Sequence, residues 1–310
     1  MQWNGVMPAM TTSFHPDLSI DHEFMRQHAH WMLANGCTGL VMLGSLGEGA
    51  TLTEDEKIAI LRNITASVAG RAPVVAAISA LSTAGAVRLA KEAEQAGCAG
   101  LMVLPPYVYS SDWREMHAHV SAILAATPLS CMLYNNPIAY KTDFLPEQIA
   151  ELASSHGNLR AVKESSADIR RVAAIRCLLA DRLSILVGVD DAVVEGVSAG
   201  AVGWIAGLVN AFPSESVALF HLALTGKRDE AFELYRWFLP LLRMDTVPKF
   251  VQLIKWAQQE LGVGSARVRP PRLELEAEEL SDARKKLQHA LATRPRLNTI
   301  SFAESVGEPA

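Results

Sequence analysis

Short apolar, β-branched runs alternate with longer amphipathic stretches through most of the chain. The short runs predict strands at Gly5–Met10, Gly39–Leu43, Val74–Ile78, Gly100–Leu104, Leu129–Tyr134, Leu159–Lys163, Leu183–Gly188 and Ala201–Ile205. Between them, apolar residues recur at helical spacing over Asp21–Asn35, Glu54–Ala69, Thr83–Ala96 and Asp168–Ala180. Thr53 followed by Glu56 forms a capping-box pattern ahead of the second of these helices, and Pro146 suits the first turn of another. Strand–helix alternation at intervals of roughly 30 residues is the signature of repeated βαβ units and a parallel sheet. Eight repeats fit a closed (β/α)8 TIM barrel, with an open doubly wound sheet as the alternative.

After Ile205 the strand pattern stops. Ser214–Thr225, Asp229–Leu242, Pro248–Leu261 and Glu276–Leu291 all have helical period. The expected division is therefore a barrel over residues 1–225, C-terminal helices packed on it over 226–292, and a disordered tail over 293–310.

Composition narrows the function. The chain has 310 residues, half of them hydrophobic, enough for a large core. A net charge of -5 offers no basic footprint for nucleic acid. Cys37, Cys98, Cys131 and Cys177 are widely spaced with no C-x-x-C pair, which suits a reduced, cytoplasmic protein. No basic segment followed by an apolar one opens the chain, and no run of about 18 apolar residues suggests a membrane span.

In a barrel of this kind, chemistry belongs to the C-terminal ends of the strands, where polar residues that a core would not choose become candidates. Lys163 closes the run LRAVK. It either extends its ammonium to solvent or is held in the barrel mouth, where desolvation favours the free amine as a nucleophile toward a carbonyl. Tyr134 closes PLSCMLY just before the turn Asn135–Asn136–Pro137; it is either an ordinary strand aromatic or a phenol that relays protons to such a lysine. GSLGEG at Gly44–Gly49 lacks the ending of a phosphate-binding loop. It reads as a plain glycine turn or as one whose N–H groups, with the Ser45 hydroxyl, hold a carboxylate. In GVDD at Gly188–Asp191, paired acids could bind a metal, but Asp190 is better suited to cap the following helix. The pairs His28/His30 and His117/His119 point to different helix faces and match no zinc motif, so they read as solvated histidines. No metal and no cofactor is implied.

Taken in order, GSLGE, YNNP, VKESS, GVDD and GAVGWIAGLVNAFP (Gly200–Pro213) resemble the dihydrodipicolinate synthase / N-acetylneuraminate lyase family from about Val6 to Leu291. The resemblance implies a TIM barrel with C-terminal helices, assembled as a homo-oligomer (a dimer or tetramer). It makes Lys163 the Schiff-base lysine, Tyr134 the proton-relay tyrosine and Ser45 the hydroxyl linked to it. Gly44, Leu46, Gly47 and Glu48 become the carboxylate-binding turn, and Ile205 lies in a segment whose backbone lines the pocket.

The departures from the family pattern bear on substrate. Leu46 replaces a second hydroxyl in the turn. Ala139 stands where the synthases carry a carboxylate-gripping arginine, with Lys141 nearby. Val108 aligns with a tyrosine exchanged between subunits, for which Tyr107 or Tyr109 could substitute. Leu46, Val108, Ile138 and Ala139 imply an apolar pocket, in which each unpaired buried hydroxyl of a long sugar acid would cost about 1–3 kcal/mol. A compact 2-oxo acid or cyclic imine carboxylate is expected. The leading candidate is 1-pyrroline-4-hydroxy-2-carboxylate, opened by a deaminase. The alternatives are dehydration or aldol cleavage of a 2-keto-3-deoxy acid, a synthase-like condensation of pyruvate, or a barrel that only binds.

Overall fold

A computed structural model describes residues 1–106 and 112–297. Eight strands form one parallel sheet: β1 (Gly5–Pro8), β2 (Leu40–Met42), β3 (Val74–Ile78), β4 (Gly100–Val103), β5 (Ser130–Asn135), β6 (Leu159–Glu164), β7 (Ser184–Val187) and β8 (Gly203–Ala206). Neighbours run in sequence from β2 to β8, and β8 pairs with β1. Just past the end of β1, Met10 N–H donates to Val41 O at 2.9 Å and Ala9 bridges Val41 in parallel, so the ring closes. The closed barrel therefore replaces the open-sheet alternative. Every residue of β2, β3 and β4 is buried, as expected of a sheet with side chains packed inside and helices outside.

The outer helices are α1 (His22–Ala34), α2 (Glu54–Val68), α3 (Thr83–Gln95), α4 (Trp113–Ala125), α5 (Pro137–Tyr140), α6 (Pro146–Ser155), α7 (Arg170–Leu179), α8 (Val193–Ser198) and α9 (Pro213–Leu224). The Thr53–Glu56 capping box is formed: Glu56 N–H donates to Thr53 Oγ1 at 3.2 Å and Thr53 N–H to Glu56 Oε2 at 2.8 Å. Pro146 opens α6. None of the described helices is long and apolar enough to cross a membrane.

Beyond the barrel come α10 (Arg228–Leu242), α11 (Phe250–Glu260) and α12 (Ser281–Ala292). Trp237 Nε1 donates to Ala290 O at 3.1 Å, tying α10 to α12. The expected tail begins with an anchor, because Arg294 Nε donates to the buried Glu215 at 2.6 Å and Leu297 packs on the core. The remainder of that tail, 298–310, lies outside the described residues.

The histidine pairs differ from the expectation of solvated side chains. His28 and His30 do diverge, as residues two apart on a helix must, and this turns one of them inward. His28 is buried, with Nε2 3.2 Å from Asn210 Oδ1 and 3.3 Å from Gln258 Nε2. His119 is also buried, with Nδ1 3.0 Å from Thr83 Oγ1. Burial lowers the His28 pKa from 6.5 to about 4. Between these values the unfolded chain binds a proton that the folded one refuses, so stability is complete above pH 6.5 and falls as the pH drops toward 4. The loss specific to this group amounts to about 3 kcal/mol. Denaturant titrations of the wild type and His28→Gln at pH 7 and pH 4 measure it. The wild type should lose more stability between the two pH values, and equal losses would show that His28 is not buried in its neutral form.

Candidate active site

Two neighbouring strands place the central pair. In the β5–β6 register Tyr134 lies beside Lys163, so both side chains enter the same face of the sheet. Lys163 is 6% exposed, and its Nζ lies 4.1 Å from the centroid of the Tyr134 ring. The lysine is thus held in the barrel mouth rather than extended to solvent. Gly188, just past β7, makes room for it: a Cβ there would stand 1.9 Å from Ser165 Oγ and 2.6 Å from Lys163 Cε.

The Asn135–Asn136–Pro137 turn explains how the Tyr134 hydroxyl is aimed. Asn136 caps α5 by accepting from Ala139 N–H at 3.0 Å, and its amide Nδ2 donates to the Tyr134 hydroxyl at 3.0 Å. Asn135 is fully buried; its Oδ1 accepts from Phe144 N–H at 3.0 Å, and its Nδ2 donates to Glu164 Oε2 at 3.1 Å. One asparagine therefore fixes the tyrosine, and the other staples the returning chain to the strand that carries the lysine.

The link between Ser45 and Tyr134 differs from the direct one the resemblance implies. The Ser45 hydroxyl is bonded to the hydroxyl of Tyr140, and the Tyr140 ring packs edge-on to Tyr134 with centroids 5.7 Å apart. Tyr140 is one residue beyond the position of the missing arginine, at the end of α5, and sequence reasoning passed over it. Its signal was available: a tyrosine six residues after Tyr134, across a proline turn. Ile138 and Ala139 are exposed rather than enclosed, and Lys141 turns its ammonium onto Ile138 O at 2.9 Å. Val108, Tyr107 and Tyr109 lie outside the described residues.

The glycine turn bends sharply after β2. Leu43 and Glu48 adopt left-handed backbone angles. A Cβ on Gly49 would stand 2.1 Å from Leu43 O, and one on Gly47 would stand 2.8 Å from Met10 O, so neither position tolerates a side chain. The N–H groups of Glu48 and Gly49 are used inside the turn, on Ser45 O and Gly44 O. Leu46 is buried. The side chain of Glu48, expected at the carboxylate site, instead anchors the turn from behind. It is fully buried, and it accepts from Lys255 Nζ at 2.7 Å and from Arg269 N–H at 2.9 Å. Lys255 in turn donates to Thr12 O at 2.8 Å.

Asp190 does not cap a helix. It is fully buried; Oδ1 accepts from Trp204 Nε1 at 3.0 Å, and the two carboxylate oxygens accept from Gly207 N–H at 3.0 and 3.1 Å and from Leu208 N–H, on Oδ2, at 2.8 Å. The N–H groups of the bend after β8 take the carboxylate instead. Burial pushes the Asp190 pKa up to about 6, against these hydrogen bonds and the charge of Lys163. Ile205 itself is buried in β8, two residues before Gly207.

The Dihydrodipicolinate synthetase family model matches residues 2–290. The chain belongs to that family. It is 32% identical over 285 residues to the 4-hydroxy-tetrahydrodipicolinate synthase of Haloarcula marismortui, covering 92% of each chain. The 4-hydroxy-tetrahydrodipicolinate synthase structure from Methylacidiphilum fumariolicum superposes with a TM-score of 0.90 at 29% identity, over 94% of this chain and 97% of that one. A chloride-inhibited dihydrodipicolinate synthase from Acinetobacter baumannii, solved with pyruvate, gives a TM-score of 0.87 at 25% identity, over 93% and 98%. The protein is accordingly an enzyme of this family, a class I lyase of the lysine Schiff-base type.

The buried Glu48–Lys255 pair couples this site to α11. Removing one partner strands the other charge, which costs about 3–5 kcal/mol. Chemical denaturation of Lys255→Met should show a loss of that size, with much of it recovered in Lys255→Met/Glu48→Leu. A single variant as stable as the wild type would mean that the pair does not hold the turn.

Proposed function

We propose that Lys163 forms an imine with a small 2-oxo acid, or by transimination with a cyclic imine carboxylate. The observation that carries this reading is the buried Lys163 ammonium against the Tyr134 ring on the adjoining strand. The substrate carboxylate would seat on the turn's free backbone, at Leu46 and Gly47, with Ser45 alongside. The amine attacks the electrophilic carbon, and the proton that the carbinolamine must shed and regain passes through the Tyr134 hydroxyl. Ser45 stands beside that group through Tyr140, whose hydroxyl it bonds and whose ring packs edge-on to Tyr134.

The leading substrate is 1-pyrroline-4-hydroxy-2-carboxylate, converted to 2-oxoglutarate semialdehyde with release of ammonia. Supporting it are the buried Leu46 in the turn and Ala139 in place of a guanidinium clamp, which suit one carboxylate better than two. The second reading, condensation of pyruvate, draws on the synthases the chain resembles. Dehydration or cleavage of a 2-keto-3-deoxy acid shares the same first steps.

Borohydride reduction in the presence of pyruvate, followed by peptide mass spectrometry, tests the chemistry. The wild type should carry a stable adduct on Lys163, Lys163→Met none, and Gly188→Ala much less because its Cβ displaces the lysine. An adduct-free wild type would contradict the imine. Ammonia release from the hydroxypyrroline carboxylate then tests the substrate, and its absence removes the leading candidate.

A further inference from the structure

A carboxyl group from outside the barrel reaches its mouth. Asp245 belongs to the turn Arg243–Thr246 between α10 and α11, and that turn packs against the one at Asp190–Ala192 after β7. Its Oδ1 lies over Gly207, the first residue past β8, where a Cβ would come within 2.1 Å of it. The N–H of the same Gly207 is already given to Asp190. The two acids thus flank one backbone position, in very different states. Asp190 is saturated by three N–H groups, which suits a carboxylate. Among the described residues no N–H group donates to Asp245; burial and the charges of Asp190, Lys163 and Asp191 act on it.

A second, independent feature marks the surroundings of Lys163, whose charge acts on Asp245, as a place for a polar ligand. Ser165 is 1% exposed, and its hydroxyl has no hydrogen-bond partner among the described residues. It lies just past β6, two residues after Lys163, and both side chains occupy the space that a Cβ on Gly188, two residues before Asp190, would take. An orphaned hydroxyl of this kind costs free energy unless something polar arrives to satisfy it.

We propose that Asp245 is the acid that protonates a hydroxyl leaving from the substrate carbon two bonds from the imine carbon, so that this site eliminates water rather than cleaving a carbon–carbon bond. The proposal rests on the imine reading given above. After Lys163 has formed the imine at C2, the Tyr134 oxygen, left deprotonated when the carbinolamine lost water, takes a C3 proton and gives the enamine. The enamine electrons form C3=C4 and restore C2=N, the C4–O bond breaks, and the oxygen leaves as water with the Asp245 proton. Solvent returns that proton to the partly buried carboxyl. Aldol cleavage would need the opposite, a base removing the proton of the same hydroxyl. Burial first, and then the neighbouring Asp190 charge, raise the Asp245 pKa well above the carboxylate range, in keeping with a donor. Both the 4-hydroxypyrroline ring, once opened, and a 2-keto-3-deoxy acid carry their hydroxyl at C4.

Borohydride quenching during turnover of these two substrates, by the wild type and by Asp245→Asn, tests the proposal. The wild-type Lys163 peptide should carry an adduct lacking one water, whereas Asp245→Asn should carry one that keeps the hydroxyl. Turnover in the variant should fall about 10²–10⁴-fold, while its pyruvate adduct forms as in the wild type. A dehydrated adduct formed by the variant at the wild-type rate would overturn the proposal. So would pyruvate release from the keto-deoxy acid by the wild type, or a variant that loses its pyruvate adduct together with turnover. A wild type that traps pyruvate but never yields a dehydrated adduct removes this proposal alone; one that traps nothing removes the imine reading beneath it.

Discussion

The in-register pairing of β5 with β6 is the constraint on which the site depends. Side chains alternate between faces along a strand, so a slip of one residue in this pairing would turn Lys163 to the face opposite Tyr134. The barrel enforces that register on both sides, since β6 is also paired with β7 and the ring closes through β8 and β1. Gly188 completes the constraint from β7 by leaving space for the lysine stem. A buried amine in contact with a phenol follows from strand geometry, with no special loop needed.

Elements far away in sequence finish the site. The glycine turn after β2 would be a loose bend by composition, yet Glu48 locks it to Lys255 on α11 and to the backbone of Arg269. Lys255 and Arg269 both also sit over the Phe14 ring, at 4.5 and 4.7 Å. The C-terminal helices are therefore part of the scaffold of that turn: α11 supplies Lys255, the counter-charge of Glu48. A buried ion pair is costly to assemble, and here its return is a fixed backbone for the turn after β2.

The sequence made the barrel legible because eight apolar runs at regular spacing leave few alternatives, and Lys163 and Tyr134 stood out as polar residues ending such runs. Local rules failed where a distant group competed. Asp190 has the residue type and position of a helix cap, but the N–H groups after β8 take its carboxylate. His28 has the look of a solvated helix residue, but its helix face meets Asn210 and Gln258. Asp245 was invisible for the same reason: its contact at Gly207 lies across the fold, and no periodicity within its own turn reveals it.

A crystal structure of the protein soaked with pyruvate tests the central claim most directly. The expected result is continuous density from Lys163 Nζ to C2 of the ligand, with the ligand carboxylate on the N–H groups of Leu46 and Gly47. Pyruvate bound without a covalent bond to Lys163, or with its carboxylate elsewhere, would contradict it.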